Sequence, residues 1–180
     1  MNTHTHKRIN ICVYLTNDGI CTGYLRCPPC SSFIIKNSGN TLFQYLCNTT
    51  RLNIEKALIY TLGNKGKFPN IEIDIDDVLF IKPLEYLKMP FSFLKSKRVQ
   101  FSVPGYTLIG NIQHSQTSHW KEKLDTFPKL LKISNTVIVI NHSKIQQTAS
   151  HVMINKKHII SAKEYRSAKQ YNPFYKVKRQ

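Results

Sequence analysis

Ile71-Glu-Ile-Asp-Ile-Asp-Asp-Val-Leu-Phe-Ile81, set above Ser150-His-Val-Met-Ile-Asn-Lys-Lys-His-Ile-Ile160, places Ile73, Ile75, Phe80 and Ile81 over Val152, Ile154, Ile159 and Ile160. Few residues are identical, yet the offset between Ile75 and Ile154 is 79, and the same step takes Ile54 to Ile133 and Glu85 to Glu164. Upstream, Arg8-Ile9 answers Arg98-Val99, and Gly23 answers Gly110 once the first hairpin is given a longer turn. A fixed offset between differently spelled segments predicts two copies of one small module. Each copy would hold roughly 75 to 80 residues, near the lower limit for an independent core, so the two are expected to pack together.

The elements follow from local patterns. Residues 9 to 15 and 20 to 26 alternate apolar and polar positions around Asn17-Asp18-Gly19, a strong hairpin signal. Beyond Cys27-Pro-Pro-Cys30 and a polar loop, Thr41 can cap a helix of about two turns, with Gln44 reaching back and Leu42, Phe43, Tyr45 and Leu46 as its apolar stripe. Ile54 to Leu62 reads as a strand, Gly63 to Gly66 as a turn, and Ile71 to Ile81 as one long strand or two broken at Asp76-Asp77. The second copy repeats the order with Val99 to Val103, a Pro104-Gly105 turn, Tyr106 to Gln113, a helix from Ser118 to Thr126, then Val137 to Ile140, Val152 to Ile154 and His158 to Ala162.

The predicted fold class is therefore mainly β, a β-rich α+β arrangement of two tandem small five-stranded barrel-like modules, each with one short helix between its second and third strands. Strands this short are stabilised by closing each set into a barrel or by pairing the two sheets edge to edge. The first module spans 1–86 and the second 98–164. The connector, 87–97, is expected to be packed because Met89, Phe91, Phe93 and Leu94 are apolar where a free linker would be polar. A basic, aromatic tail occupies 165–180.

Charge is distributed unevenly. Residues 1 to 86 hold nine Lys/Arg against seven Asp/Glu, while residues 87 to 180 hold 17 against three. A compositional bias would tint the chain evenly, so the second copy and tail are expected to face something acidic. Five cysteines, an odd number, and the lack of an apolar run of membrane-spanning length point to a soluble, cytoplasmic protein without a membrane contact. Cys12, Cys21 and Cys47 then read as small buried apolar residues.

The strand pair ending in a glycine step, the helix with Trp120 and Leu124 one turn apart, and Met153-Ile-Asn-Lys156 with His158-Ile159 resemble an uncharacterised bacterial family of small Sm-like or SH3-like β-barrels. The match is best over residues 98 to 164 and weaker over 8 to 85, where Asp76-Asp77 replaces the Asn-Lys pair. The resemblance implies the fold, and more distantly RNA binding in oligomeric rings or peptide binding.

Lys156, Lys157, Lys163, Arg166, Lys169, Lys176, Lys178 and Arg179 are interleaved with Tyr165, Tyr171, Phe174 and Tyr175. That pattern pairs phosphate-neutralising charge with flat rings on which bases stack, and these lysines, arginines and tyrosines are the candidate nucleic-acid-binding residues. Cys27 and Cys30 supply only two of the four ligands a structural zinc wants, and are read chiefly as loop thiols. Asp74, Asp76 and Asp77 read as turn and strand-end residues. His114, His119, His142, His151 and His158 have no nucleophile at a defensible spacing, and no cofactor motif is present. The sequence thus predicts a non-enzymatic protein that binds nucleic acid, RNA over DNA. The alternative is a scaffolding subunit that docks on an acidic protein partner, in either case open to homo-oligomerisation or to membership of a larger assembly.

Overall fold

In the computed structural model, residues 7–27, 39–85, 95–114, 119–126 and 129–166 are described. Ten strands, β1 (Lys7–Leu15), β2 (Ile20–Cys27), β3 (Arg51–Thr61), β4 (Asn64–Asp74), β5 (Val78–Pro83), β6 (Lys95–Val103), β7 (Tyr106–His114), β8 (Leu130–Ile140), β9 (Gln146–Asn155) and β10 (Ser161–Glu164), form one open antiparallel sheet. Their order across the sheet is β10-β6-β7-β8-β9-β5-β1-β2-β3-β4. A helix lies between the second and third strand of each half, α1 (Gly39–Asn48) and α2 (Glu122–Thr126). Short 3-10 turns, Ile75–Asp77 and Lys156–His158, precede β5 and β10.

The spatial order β5-β1-β2-β3-β4 recurs as β10-β6-β7-β8-β9, and the seam between the halves is a β5–β9 pairing of Phe80 with Ile154 and Ile81 with Met153. Of the two expected ways to stabilise short strands, edge-to-edge pairing is therefore present.

Alternation explains most of the strands. In β7, Tyr106, Leu108, Gly110 and Ile112 are buried while the residues between them are half-buried. The pattern lapses where a strand is covered on both faces. In β1, Ile9, Ile11 and Val13 enter a first core with Leu42 and Leu46 of α1, whereas Cys12 and Tyr14 enter a second with Phe101, Leu108, Trp120 and Ile133. Strands cross between cores in both directions: Leu130 and Met153 pack into the first, Leu79 and Phe80 into the second. Tyr14 stacks on Phe80 at 4.1 Å, and Tyr106 meets both rings edge-on at 5.3 and 5.2 Å. Fully burying side chains of this size is worth roughly 2 kcal/mol each, and this shared apolar contact supplies what a half-sized core lacks.

Both halves bend their third strand in the same way. Lys56 and Asn135, at φ 50° and 47°, are single residues in left-handed backbone, and the register of β2 with β3 and of β7 with β8 slips beside Gly23 and Gly110. A Cβ on Gly23 would lie 2.8 Å from the Glu55 carbonyl oxygen, and one on Gly110 3.1 Å from that of Ser134. Only glycine admits the close approach.

The elements differ from expectation in several places. α1 begins at Gly39, ahead of Thr41; β8 begins at Leu130, seven residues before Val137; and Lys95 to Lys97 belong to β6, where a connector was expected. The offset of 79 holds for Lys56 and Asn135 but becomes 81 at the 3-10 turns. There Asp74 accepts the Asp76 amide at 2.9 Å and Asn155 accepts the Lys157 amide at 3.1 Å. The lengthening falls in the connection 141–145, where the first half needs only residues 62–63.

Candidate nucleic-acid interface

Two of the sequence-selected residues, Lys156 and Lys157, lie in the second 3-10 turn, and the topology lays that turn against the first one. Lys157 Nζ is 3.1 Å from Asp76 Oδ2, Lys129 Nζ is 3.9 Å from Asp76 Oδ1, and His158 Nε2 is 2.8 Å from the Asp76 carbonyl oxygen. Lys157 beside it holds the Asp76 carboxyl below the usual carboxylate range. Asn155, buried, donates from Nδ2 to the Ile75 carbonyl at 2.9 Å while its Oδ1 caps its own turn. Lys156 donates to the Leu124 carbonyl at 2.7 Å. Asp76, read in sequence as a turn residue, is therefore the partner of Lys157.

A different basic surface is built where β6, β7 and β10 end. Antiparallel register places Lys95 opposite His114, and alternation puts Lys95 and Lys97 on one face of β6. With Ser96, His119, Trp120 and Glu164 they line an open cleft of about 380 Å³. Glu164 bonds Lys97 at 3.0 Å, and this ion pair holds its carboxyl below the usual range. His119 Nδ1 accepts the Lys121 amide at 3.2 Å, so the neutral ring carries its proton on Nε2. Trp120 is buried beneath, with the His119 ring 5.8 Å away and Lys121 Nζ 5.9 Å from the indole centroid. Lysine and imidazole N–H donors around one carboxylate suit a phosphate oxygen better than a cation.

Lys163, Tyr165 and Arg166 continue from β10 along the same edge, all exposed. The Tyr165 amide donates to the Arg98 carbonyl at 3.0 Å, and the Arg98 guanidinium lies 5.9 Å from the Tyr165 ring. Lys169, Tyr171, Tyr175, Lys176, Lys178 and Arg179 lie outside the described residues, as does Cys30. Cys27 ends β2 inside the first core. Burial pushes the Cys12 thiol up and that of Cys21 up to about 11, so both stay protonated at neutral pH. Among the described residues no cluster of three His, Cys, Asp or Glu could hold a metal, and no helix is long and apolar enough to cross a membrane.

The sequence reading passed over Lys95, Lys97, His114 and His119 as a group. Their signal was the i, i+2 lysine pair, hidden by the assignment of 87–97 to a connector. No protein-family model, curated protein or solved structure matches this chain.

Proposed function

We propose that the protein is a non-enzymatic nucleic-acid-binding protein, taking RNA over DNA, and that phosphates engage the cleft of Lys95, Lys97, His114 and His119 and the adjoining Lys163 and Arg166. One observation carries the reading: Lys95, Lys97, His114 and His119 line one cleft at a sheet edge, in the half of the chain with 17 Lys/Arg against three Asp/Glu. Tyr165, exposed and 5.9 Å from the Arg98 guanidinium, offers a ring for stacking where the tail begins. The preference for RNA rests on the Sm-like resemblance. The same proposal takes each half as a copy of one five-stranded unit curled into a small barrel, supported by the recurring strand order, the paired glycine bulges and the paired capped turns. It also places the chain in a reducing, cytoplasmic setting, to which the thiols of Cys12, Cys21 and Cys47 are suited.

The test is fluorescence anisotropy with labelled single-stranded RNA and DNA at about 50 mM salt, where phosphate contacts are strongest. The expected result is saturable binding that weakens at least tenfold in the Lys95→Glu/Lys97→Glu variant. Equal binding by that variant, or none by the wild type, refutes the reading. Retention of an acidic protein after nuclease treatment, with no affinity for either nucleic acid, would establish the scaffolding alternative.

A further inference from the structure

Among the described residues Glu164 is the one carboxylate in a cleft otherwise lined by lysines, histidines, Ser96 and Trp120, and it is the only acidic residue between Thr126 and Gln180. Its Oε2 lies 3.0 Å from Lys97 Nζ, within reach of the bond that an ammonium gives to a phosphate oxygen. We propose that the cleft takes the terminal phosphate of a nucleic-acid strand, a phosphomonoester, and that the Glu164 carboxylate stands in its place until the phosphate displaces it. This rests on the nucleic-acid function proposed above and adds which phosphate the cleft selects.

The buried indole is the first support. Trp120 is 2% exposed, and its Nε1–H lies close enough to the Glu164 carboxylate to help, after Lys97, to keep it ionised, yet it closes no hydrogen bond with that group or with any other described residue. A buried N–H without a partner is costly, and native structures keep few of them. A surface ion pair accounts for Lys97 and Glu164 but leaves the indole unexplained. A carboxylate is flat and has two oxygens. A tetrahedral terminal phosphate has three, and in the same place gives one to the indole N–H, one to Lys97 and one to Lys95 or to the Nε2–H of His119.

Charge selects the kind of phosphate. With its histidines neutral, the lining carries two positive charges, on Lys95 and Lys97, against the single negative charge of Glu164. An internal phosphodiester bears a single negative charge, as the carboxylate does, so exchanging one for the other gains little. A terminal phosphomonoester bears about −1.5 to −2 at neutral pH and has a third free oxygen. It matches both lysines once Glu164 has left, and that difference drives the exchange. Glu164 is placed to leave: its side chain is 32% exposed, β10 ends with it, and Arg166, beyond the end of the strand, is within electrostatic reach. The internal phosphates of the same strand are left to Lys163 and Arg166.

Fluorescence anisotropy with one internally labelled single-stranded RNA, carrying a 5′ phosphate, a 3′ phosphate or hydroxyls at both ends, separates the outcomes and shows which end is taken. The wild type is expected to bind at least one phosphorylated form about tenfold tighter than the hydroxyl-ended RNA, a preference that disappears in Lys95→Gln/Lys97→Gln. Glu164→Gln keeps the size of the side chain and removes the competing charge. It is expected to bind that phosphorylated RNA about threefold tighter than the wild type, whereas loss of a side chain that only positions Lys97 would weaken binding. Equal affinity for phosphorylated and hydroxyl-ended RNA overturns the inference and leaves the nucleic-acid function standing. So does a Glu164→Gln variant that binds the phosphorylated RNA no tighter. Binding of no RNA in any form refutes both.

Discussion

Lys56 holds left-handed backbone in β3 with a side chain unsuited to it, and Asn135 holds the same conformation in β8 with one of the few side chains that tolerate it. Lys56→Gly should therefore stabilise the fold by about 1 kcal/mol and Asn135→Gly by less, read as denaturation midpoints. Gly23→Ala should cost about 2 kcal/mol, because the new Cβ meets the backbone of Glu55 and Ala57. The two glycines were legible in the sequence as corresponding points. Lys56 was not, since a lysine gives no sign of positive φ. His151 supplies a pH signature: burial, and then the charge of Lys132, lower its pKa, so the unfolded chain binds the proton more readily than the folded one. Stability from this group is fully present above its ordinary pKa of 6.5 and falls as pH drops through that value towards the folded pKa. Urea midpoints measured between about pH 7.5 and 5.5 should decline in the wild type and decline less in His151→Gln.

The 3-10 turns show how elements acquire roles that their sequences conceal. Lys156-Lys157 reads as a phosphate site in isolation, and Asp76-Asp77 reads as its opposite. Only the β5–β9 seam, a contact between distant parts of the chain, makes Lys157 and Asp76 a pair. Asn155 joins the turns more firmly than the ion pair does, because it is buried and serves the Lys157 amide and the Ile75 carbonyl together. Asn155→Ala leaves both groups without that partner and should cost about 3 kcal/mol, measured by chemical denaturation. Asp76→Asn removes an exposed, solvent-screened charge and should lower the denaturation midpoint far less than Asn155→Ala. Strand existence was legible from alternation, whereas the start of β8 was not, since the bulge at Asn135 breaks the alternation that Leu131, Lys132, Ile133 and Ser134 begin. Beside the seam both faces are covered by one core or the other, so β5 reads as a continuous apolar run from Val78 to Ile81.

At the scale of the molecule, the mainly β class was legible from alternation, whereas the single open sheet was not, because the pairing of β5 with β9 joins strands distant in sequence. Register alone revealed that Lys95 lies opposite His114, a juxtaposition that the sequence conceals. The tail begins at that same edge, directly after Glu164. The central claim is that these cations neutralise phosphates, and the dependence of RNA affinity on salt counts them. With Lys95, Lys97, Lys163 and Arg166 engaged, the slope of log K against log salt should be about −3 or steeper. In the Lys95→Gln/Lys97→Gln variant it should fall by about 1.4. A slope unchanged by that double substitution would contradict the account.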